Sequence, residues 1–114
     1  MVVDIKRYHD LADLVLDLEV LMRESGAWEC PVPTDEALQS TIPFAADSMA
    51  FNQWIRYIMV PRFKVIIEDG GVLPHSSNIA DYASEANLEI SQEGQRKIVH
   101  CIRMIDQLLN QRMS

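Results

Sequence analysis

Apolar residues recur at steps of three and four near the start of the chain. Ile5, Tyr8, Leu11, Val15, Leu18 and Met22 form a stripe that Leu14 and Leu21 widen. Each residue advances about 100° around an α-helix, so this spacing gathers them on one side and predicts a helix over residues 4–25. The other side carries Asp10, Asp13, Asp17 and Glu24, a solvated acidic face, and Gly26 stands where a left-handed C-terminal cap belongs. Pro31 and Pro33 make Trp28 to Pro33 an extended loop. Thr34, before Asp35 and Glu36, predicts the N-cap of a short helix running to about Ser40. Pro43 closes that turn, and either Asp47 or Ser48 caps a second long helix with Phe51, Trp54, Ile55, Ile58, Met59 and Phe63 on its apolar side.

Pro61 falls inside this second pattern. Without an amide hydrogen it either kinks the helix or stops it and lets it restart. Gly70 and Gly71 end the element, Leu73 and Pro74 begin a loop, and Ser76 or Ser77 starts a shorter piece through Tyr82 and Ala86. Ser91 is the expected N-cap of the last helix, residues 92–112, whose apolar face is Ile98, Cys101, Ile102, Ile105, Leu108 and Leu109. No strand-length stretch alternates cleanly between hairpin turns, and the β-prone Val65-Ile66-Ile67 continues a helical stripe. The expected fold class is all-α: an antiparallel helical bundle of three long helices plus one or two short helices, in a single domain over residues 1–114.

Composition narrows the possibilities. A chain of 114 residues, 48% hydrophobic and 24% charged, can bury one core without metals or disulfides. No segment approaches the roughly 20 apolar residues that cross a bilayer, and Met1 to Tyr8 lead into no uninterrupted apolar run, so neither a membrane span nor a secretory signal is expected. Cys30 and Cys101 form no CxxC pair; free thiols in a reducing cytoplasm are the first reading, a long-range disulfide the second. The net charge of −7 argues against autonomous nucleic-acid binding, because a polyanion needs a local positive field. That charge is uneven: residues 51–64 carry Arg56, Arg62 and Lys64 with no acid, and residues 91–114 sum to +2. These segments either complement acidic neighbours within the bundle or form a basic stripe facing an acidic partner.

Catalytic templates fail one by one. The four glycines make no phosphate loop, and no GxSxG elbow exists. His9 and Asp13 stand one helical turn apart, but two ligands are too few for a metal; His100 and the adjacent Cys101 point in diverging directions. His75 is expected exposed in its loop. No catalytic residue, metal or cofactor is expected. The unusual segment is Thr41 to Phe63, which holds five of the eight aromatics together with Met49, Met59, Pro43 and Pro61. Aromatic, Met and Arg side chains are enriched in protein interfaces, so the segment can serve as core, as contact surface, or as both.

At this segment the chain resembles a known family. The run Pro43-Phe44-Ala45-Ala46-Asp47-Ser48-Met49-Ala50-Phe51-Asn52-Gln53-Trp54, followed by Val60-Pro61-Arg62, is similar to the signature of the YqcC-like family of small bacterial proteins. Agreement extends back through Ala37-Leu38-Gln39-Ser40 and Leu21-Met22-Arg23-Glu24 and forward through Leu73-Pro74, covering roughly residues 11–110. The resemblance implies an all-α cytoplasmic protein from a proteobacterium. The family is linked by name and gene neighbourhood to tRNA pseudouridine synthase C. That enzyme class uses the aspartate of an Arg-Leu-Asp motif in a larger mixed α/β domain, and no Arg-Leu-Asp occurs here. The expected role is therefore a non-catalytic helical adaptor whose partner is the synthase, docking through Phe44, Asp47, Met49, Arg56 and Arg62. A homodimeric structural protein is the alternative, and the synthase itself comes third.

Overall fold

The computed structural model describes residues 5–74 and 76–111. His75 and Arg112, the expected loop residue and end of the last helix, lie outside them.

The first apolar stripe forms helix α1, Ile5–Ser25, which buries Leu11, Val15, Leu18 and Met22. Ile5 is 61% exposed, because it stands beyond the end of the helix that covers the rest of the stripe. Gly26 ends α1 at φ 88°, a backbone that side-chain-bearing residues rarely adopt. Thr34 caps α2, Asp35–Leu38, its hydroxyl accepting from the Ala37 N–H at 3.1 Å. A 3₁₀ turn over Pro43–Ala45 follows, with Phe44 and Ala45 both at positive φ (60° and 49°).

The second long helix starts later than the sequence predicted. Neither Asp47 nor Ser48 caps it. Helix α3, Phe51–Trp54, begins after Ala50, whose N–H is taken by the Gln53 carboxamide oxygen at 2.8 Å. Asp47 instead accepts from the Ser40 hydroxyl at 2.7 Å. Pro61 neither breaks the rod nor stops it. Five residues of π-helix, Ile55–Met59, lead straight into α4, Val60–Asp69, and the Val60 N–H bonds the Ile55 carbonyl five residues back. The wider π-turn absorbs the register change that the missing proline N–H and its ring impose on the preceding turn.

Gly70 and Gly71 close α4, the Gly71 N–H returning to the Ile66 carbonyl at 2.9 Å. Helix α5, Ile79–Glu85, has no local side-chain cap, contrary to the expectation for Ser76 or Ser77. Its capping acid comes from α6, Gln92–Asn110. The buried Asp106 accepts from the Ile79 N–H (3.1 Å), the Ala80 N–H (2.8 Å) and the Ser77 hydroxyl. Ser91 caps α6 as predicted, accepting from the Gly94 N–H at 3.0 Å.

The described residues contain no strand, and no helix among them is long and apolar enough to cross a membrane. The core joins α1, the α3–α4 rod and α6 through Leu11, Leu18, Met22, Ile55, Ile98, Ile102 and Ile105, all fully buried. Contacts at the helix ends fix the arrangement. Arg7 of α1 donates to the Leu108, Leu109 and Gln111 carbonyls, supplying a cation where the dipole of α6 ends. At the other end, Gly94 approaches Ser25 so closely that a Cβ there would meet the Ser25 Cβ at 3.3 Å. Likewise Tyr8 donates to the Gly71 carbonyl, Glu19 pairs with Lys64, and Asn52 reaches the Ala27 carbonyl.

Candidate functional site

The α3–α4 rod turns a polar side towards the loop after α1. Asn52 Nδ2 donates to the Ala27 carbonyl (3.1 Å) and Gln53 Nε2 to that of Pro31 (2.9 Å). Arg56 Nη1 donates to the Trp28 carbonyl (2.6 Å) and the Tyr57 hydroxyl to that of Cys30 (3.2 Å). Positions 52, 53, 56 and 57 share one helical side, and a proline-bearing loop has no ladder of its own to satisfy these carbonyls. Trp28, 8% exposed, carries two guanidinium groups against its ring, Arg23 at 4.7 Å and Arg56 at 4.8 Å from the ring centre. Glu19 ties the flank, 2.6 Å from Lys64 and 3.7 Å from Arg23.

On the other side of the rod lies an aromatic cluster. Phe44 stacks on Tyr82 (4.3 Å, 19°) and meets Trp54 edge-on at 5.0 Å and Phe51 at 6.1 Å. Such pairs contribute about 0.5–1.5 kcal/mol each beyond burial. They hold Phe44 in its left-handed conformation, which costs a non-glycine residue about 1–3 kcal/mol. Trp54, expected in the core, is only half-buried and belongs to this cluster.

The five candidate docking residues therefore do not form one surface. Phe44, Asp47 and Met49 sit together in the turn before α3, with the Met49 N–H bonded to the Ala45 carbonyl at 3.1 Å. Asp47 is fully exposed, and hydrogen bonds from the Ser40 and then the Ser48 hydroxyl hold its carboxyl below the usual aspartate range. Arg56 is half-buried and committed to Trp28 and the Tyr57 ring (5.0 Å). Arg62 is exposed and has no partner among the described residues. Of the three cations that made residues 51–64 basic, two serve the chain itself: Lys64 on Glu19 and Arg56 on the loop.

One concavity went unnoticed in the sequence. A groove of about 380 Å³ runs between α1 and α6, floored by Leu14, Leu21 and Cys101. Asp17 stands on its α1 lip, Lys97 and His100 on its α6 lip, and the half-exposed Val20 and Met104 line its mouth. The Cys101 thiol donates to the Leu14 carbonyl at 3.4 Å. Burial, aided by the nearby Asp17 charge, pushes its pKa up to about 11. Both cysteines are free thiols. Among the described residues no three His, Cys, Asp or Glu side chains stand close enough to hold a metal.

These features describe a small all-helical protein in which Asn52, Gln53, Arg56 and Tyr57 bond the chain's own loop carbonyls. The family model DUF446, described as tRNA pseudouridine synthase C, matches residues 10–108, and the chain belongs to that family. An uncharacterised protein of Haemophilus influenzae is 31% identical over 75 residues, 66% of this chain and 71% of that one. Protein YqcC of Escherichia coli is 32% identical over 75 residues, 65% of this chain and 69% of that one. The solution structure of YqcC from E. coli shares the fold, with a TM-score of 0.78 and 23% identity over 95% of this chain and 92% of that one. The resemblance read from the signature is thus the family that the comparisons show. A tRNA pseudouridine synthase C of Pectobacterium carotovorum is 31% identical over 70 residues, 61% of this chain but only 19% of that protein.

Proposed function

We propose that this chain is a non-catalytic helical accessory of a tRNA pseudouridine synthase. The observation that carries this reading is the Pectobacterium match. Seventy residues make up 19% of that protein, so it is about 370 residues long and carries a stretch similar to 61% of this chain beside some 80% that the match does not cover. A unit covalently joined to an enzyme works at the high effective concentration of a tether. Where the two are not joined, the unit must reach the enzyme by affinity.

The chemistry of the signature supports the same reading. Asn52 and Gln53 within it, and Arg56 and Tyr57 just after it, are committed to loop carbonyls. On this reading the chain works in the cytoplasm, needs no cofactor, and leaves RNA contact to the enzyme, as its net charge of −7 favours. Its architecture is an antiparallel bundle of three long helices, with α2 and α5 as short additions. Phe44, Asp47, Met49 and Arg62 are its docking residues, and Arg56 supports them from within.

The test is titration of the purified chain into the tRNA pseudouridine synthase C of the same bacterium, with pseudouridine formation on tRNA measured in parallel. Saturable binding, weakened tenfold or more by Asp47→Lys with Arg62→Glu, and no pseudouridine from this chain alone are expected. Absence of binding, or pseudouridine made by this chain without the synthase, overturns the proposal.

A further inference from the structure

The α1–α6 groove is built to be closed by a second copy of itself, and we propose that two chains associate across it. Its floor is apolar, and its two lips carry opposite charge: Asp17 on α1 and Lys97, beside His100, on α6. The wider faces agree. Asp13 and Glu24 continue the acidic side of α1, and Arg96 continues the basic side of α6. Glu93 is the one acid on the α6 lip, 3.6 Å from Lys97 in an exposed pair. An apolar strip between an acidic and a basic rail is a self-complementary surface, which an isologous dimer requires.

The charges also select the geometry. Two copies closing the groove face to face can be related by a two-fold axis running across it or along it. An axis across the groove lays α1 on α1 and α6 on α6, acid against acid. An axis along the groove lays α1 of one copy on α6 of the other, acid against base. Rotation about that second axis leaves heights unchanged, so residues level with each other within one chain meet between chains. Leu14 is level with Cys101, and Ser25 with Gly94. Asp17 is therefore level with the turn from Lys97 to His100, and in the dimer it faces that turn of the other copy. Val20 and Met104, 47% and 43% exposed, close over the floor. Each chain carries −7 overall, but screening beyond about 8 Å at physiological salt leaves the contact charges to decide.

This association uses a different face from the signature turn and stands or falls apart from the synthase reading. The experiment is sedimentation velocity on the full chain, with circular dichroism as the check on folding. Wild type is expected at twice the 13.0 kDa chain mass in the tens of micromolar. Asp17→Lys alone and Lys97→Glu alone are expected as folded monomers, since each sets like charges against each other on both sides of the axis. Mixed in equal amounts, the two variants pair Lys at 17 with Glu at 97 across one contact and keep the native pair at the other, so the mixture returns to dimer. The double variant, carrying both reversals, is likewise dimeric. A purely structural role for either residue cannot produce rescue by mixing. A wild type that stays monomeric at high concentration overturns the proposal. So do single variants that remain dimeric, or a mixture of folded variants that does not reassociate.

Discussion

The two flanks of α1 have the same kinds of residues and use them differently. On the flank facing the α3–α4 rod, cations and aromatic rings are consumed internally: Arg23 and Arg56 lie against Trp28, and Lys64 holds Glu19. On the flank facing α6, Asp17 and Lys97 stand on opposite lips of an apolar groove without touching. The first region is conspicuous in sequence and closed in structure; the second is inconspicuous in sequence and open in structure. A recognisable motif therefore marks where this fold is most constrained. The groove proposed for self-association lies on plain amphipathic helices.

The sharpest separation of the two flanks is Trp28→Ala, which removes the ring that both guanidinium groups contact and unseats the loop carbonyls. A loss of about 3–5 kcal/mol in urea unfolding is expected. A loss below about 1 kcal/mol would mean that the loop is not clamped. Next is Arg56→Glu, at about 2–3 kcal/mol, because it leaves the Trp28 carbonyl with only the weak Cys30 thiol donor and removes both ring contacts. Arg62→Glu, the apparent equivalent in sequence, should change stability by under about 0.5 kcal/mol. Equal effects of the two reversals in the same unfolding assay would erase that contrast.

On the groove side, Cys101 reports how closed the floor is. A thiol raised from 9.0 to about 11 holds about a hundredfold less thiolate at pH 8. Iodoacetamide labelling followed by mass spectrometry should therefore modify Cys101 at least that much more slowly in the native protein than in urea. The sign of the pH dependence follows. The folded state favours the neutral thiol, so this contribution is complete below about pH 9 and is lost as pH rises through about 11. The urea midpoint should fall over that interval, and Cys101→Ala should flatten the fall. The smallest expected effect is that of Asp17→Lys with Lys97→Glu on the unfolding of the isolated chain. These residues are exposed, so the change stays within about 0.5 kcal/mol, measured below the concentration of association.

How far the sequence could be read depended on the range of the interaction. Helices α1 and α6 were legible from spacing alone, as were the caps at Thr34 and Ser91 and the glycine stop at Gly26, because each is settled within one turn of chain. The start of α3 was not. Asp47 has the side chain of an N-cap, but Ser40, seven residues back, takes it. Nor was the cap of α5, which Asp106 supplies from about one full helix length further along the chain. Pro61 announced a disturbance, but a π-turn, a kink and a restart all satisfy the same missing hydrogen. The five docking residues were chosen by type, and type does not reveal that Arg56 finds a loop carbonyl while Arg62 finds none. An i, i+1, i+4, i+5 set of amide, guanidinium and phenol donors at 52, 53, 56 and 57 was the available hint that the rod faces bare backbone.

Arg7 bonds the last carbonyls of α6, and Tyr8 bonds Gly71 just past α4. Whatever polypeptide is joined ahead of α1 or behind α6 thus leaves the bundle from one pole. For a fused neighbour the order of joining hardly matters: an amino-terminal and a carboxy-terminal tether of equal length sweep nearly the same volume around the same anchor. They should confer similar local concentrations of the neighbour over the bundle. A short linker across that pole would also close the chain into a ring, so a circularly permuted protein opened in one of the loops should keep the fold.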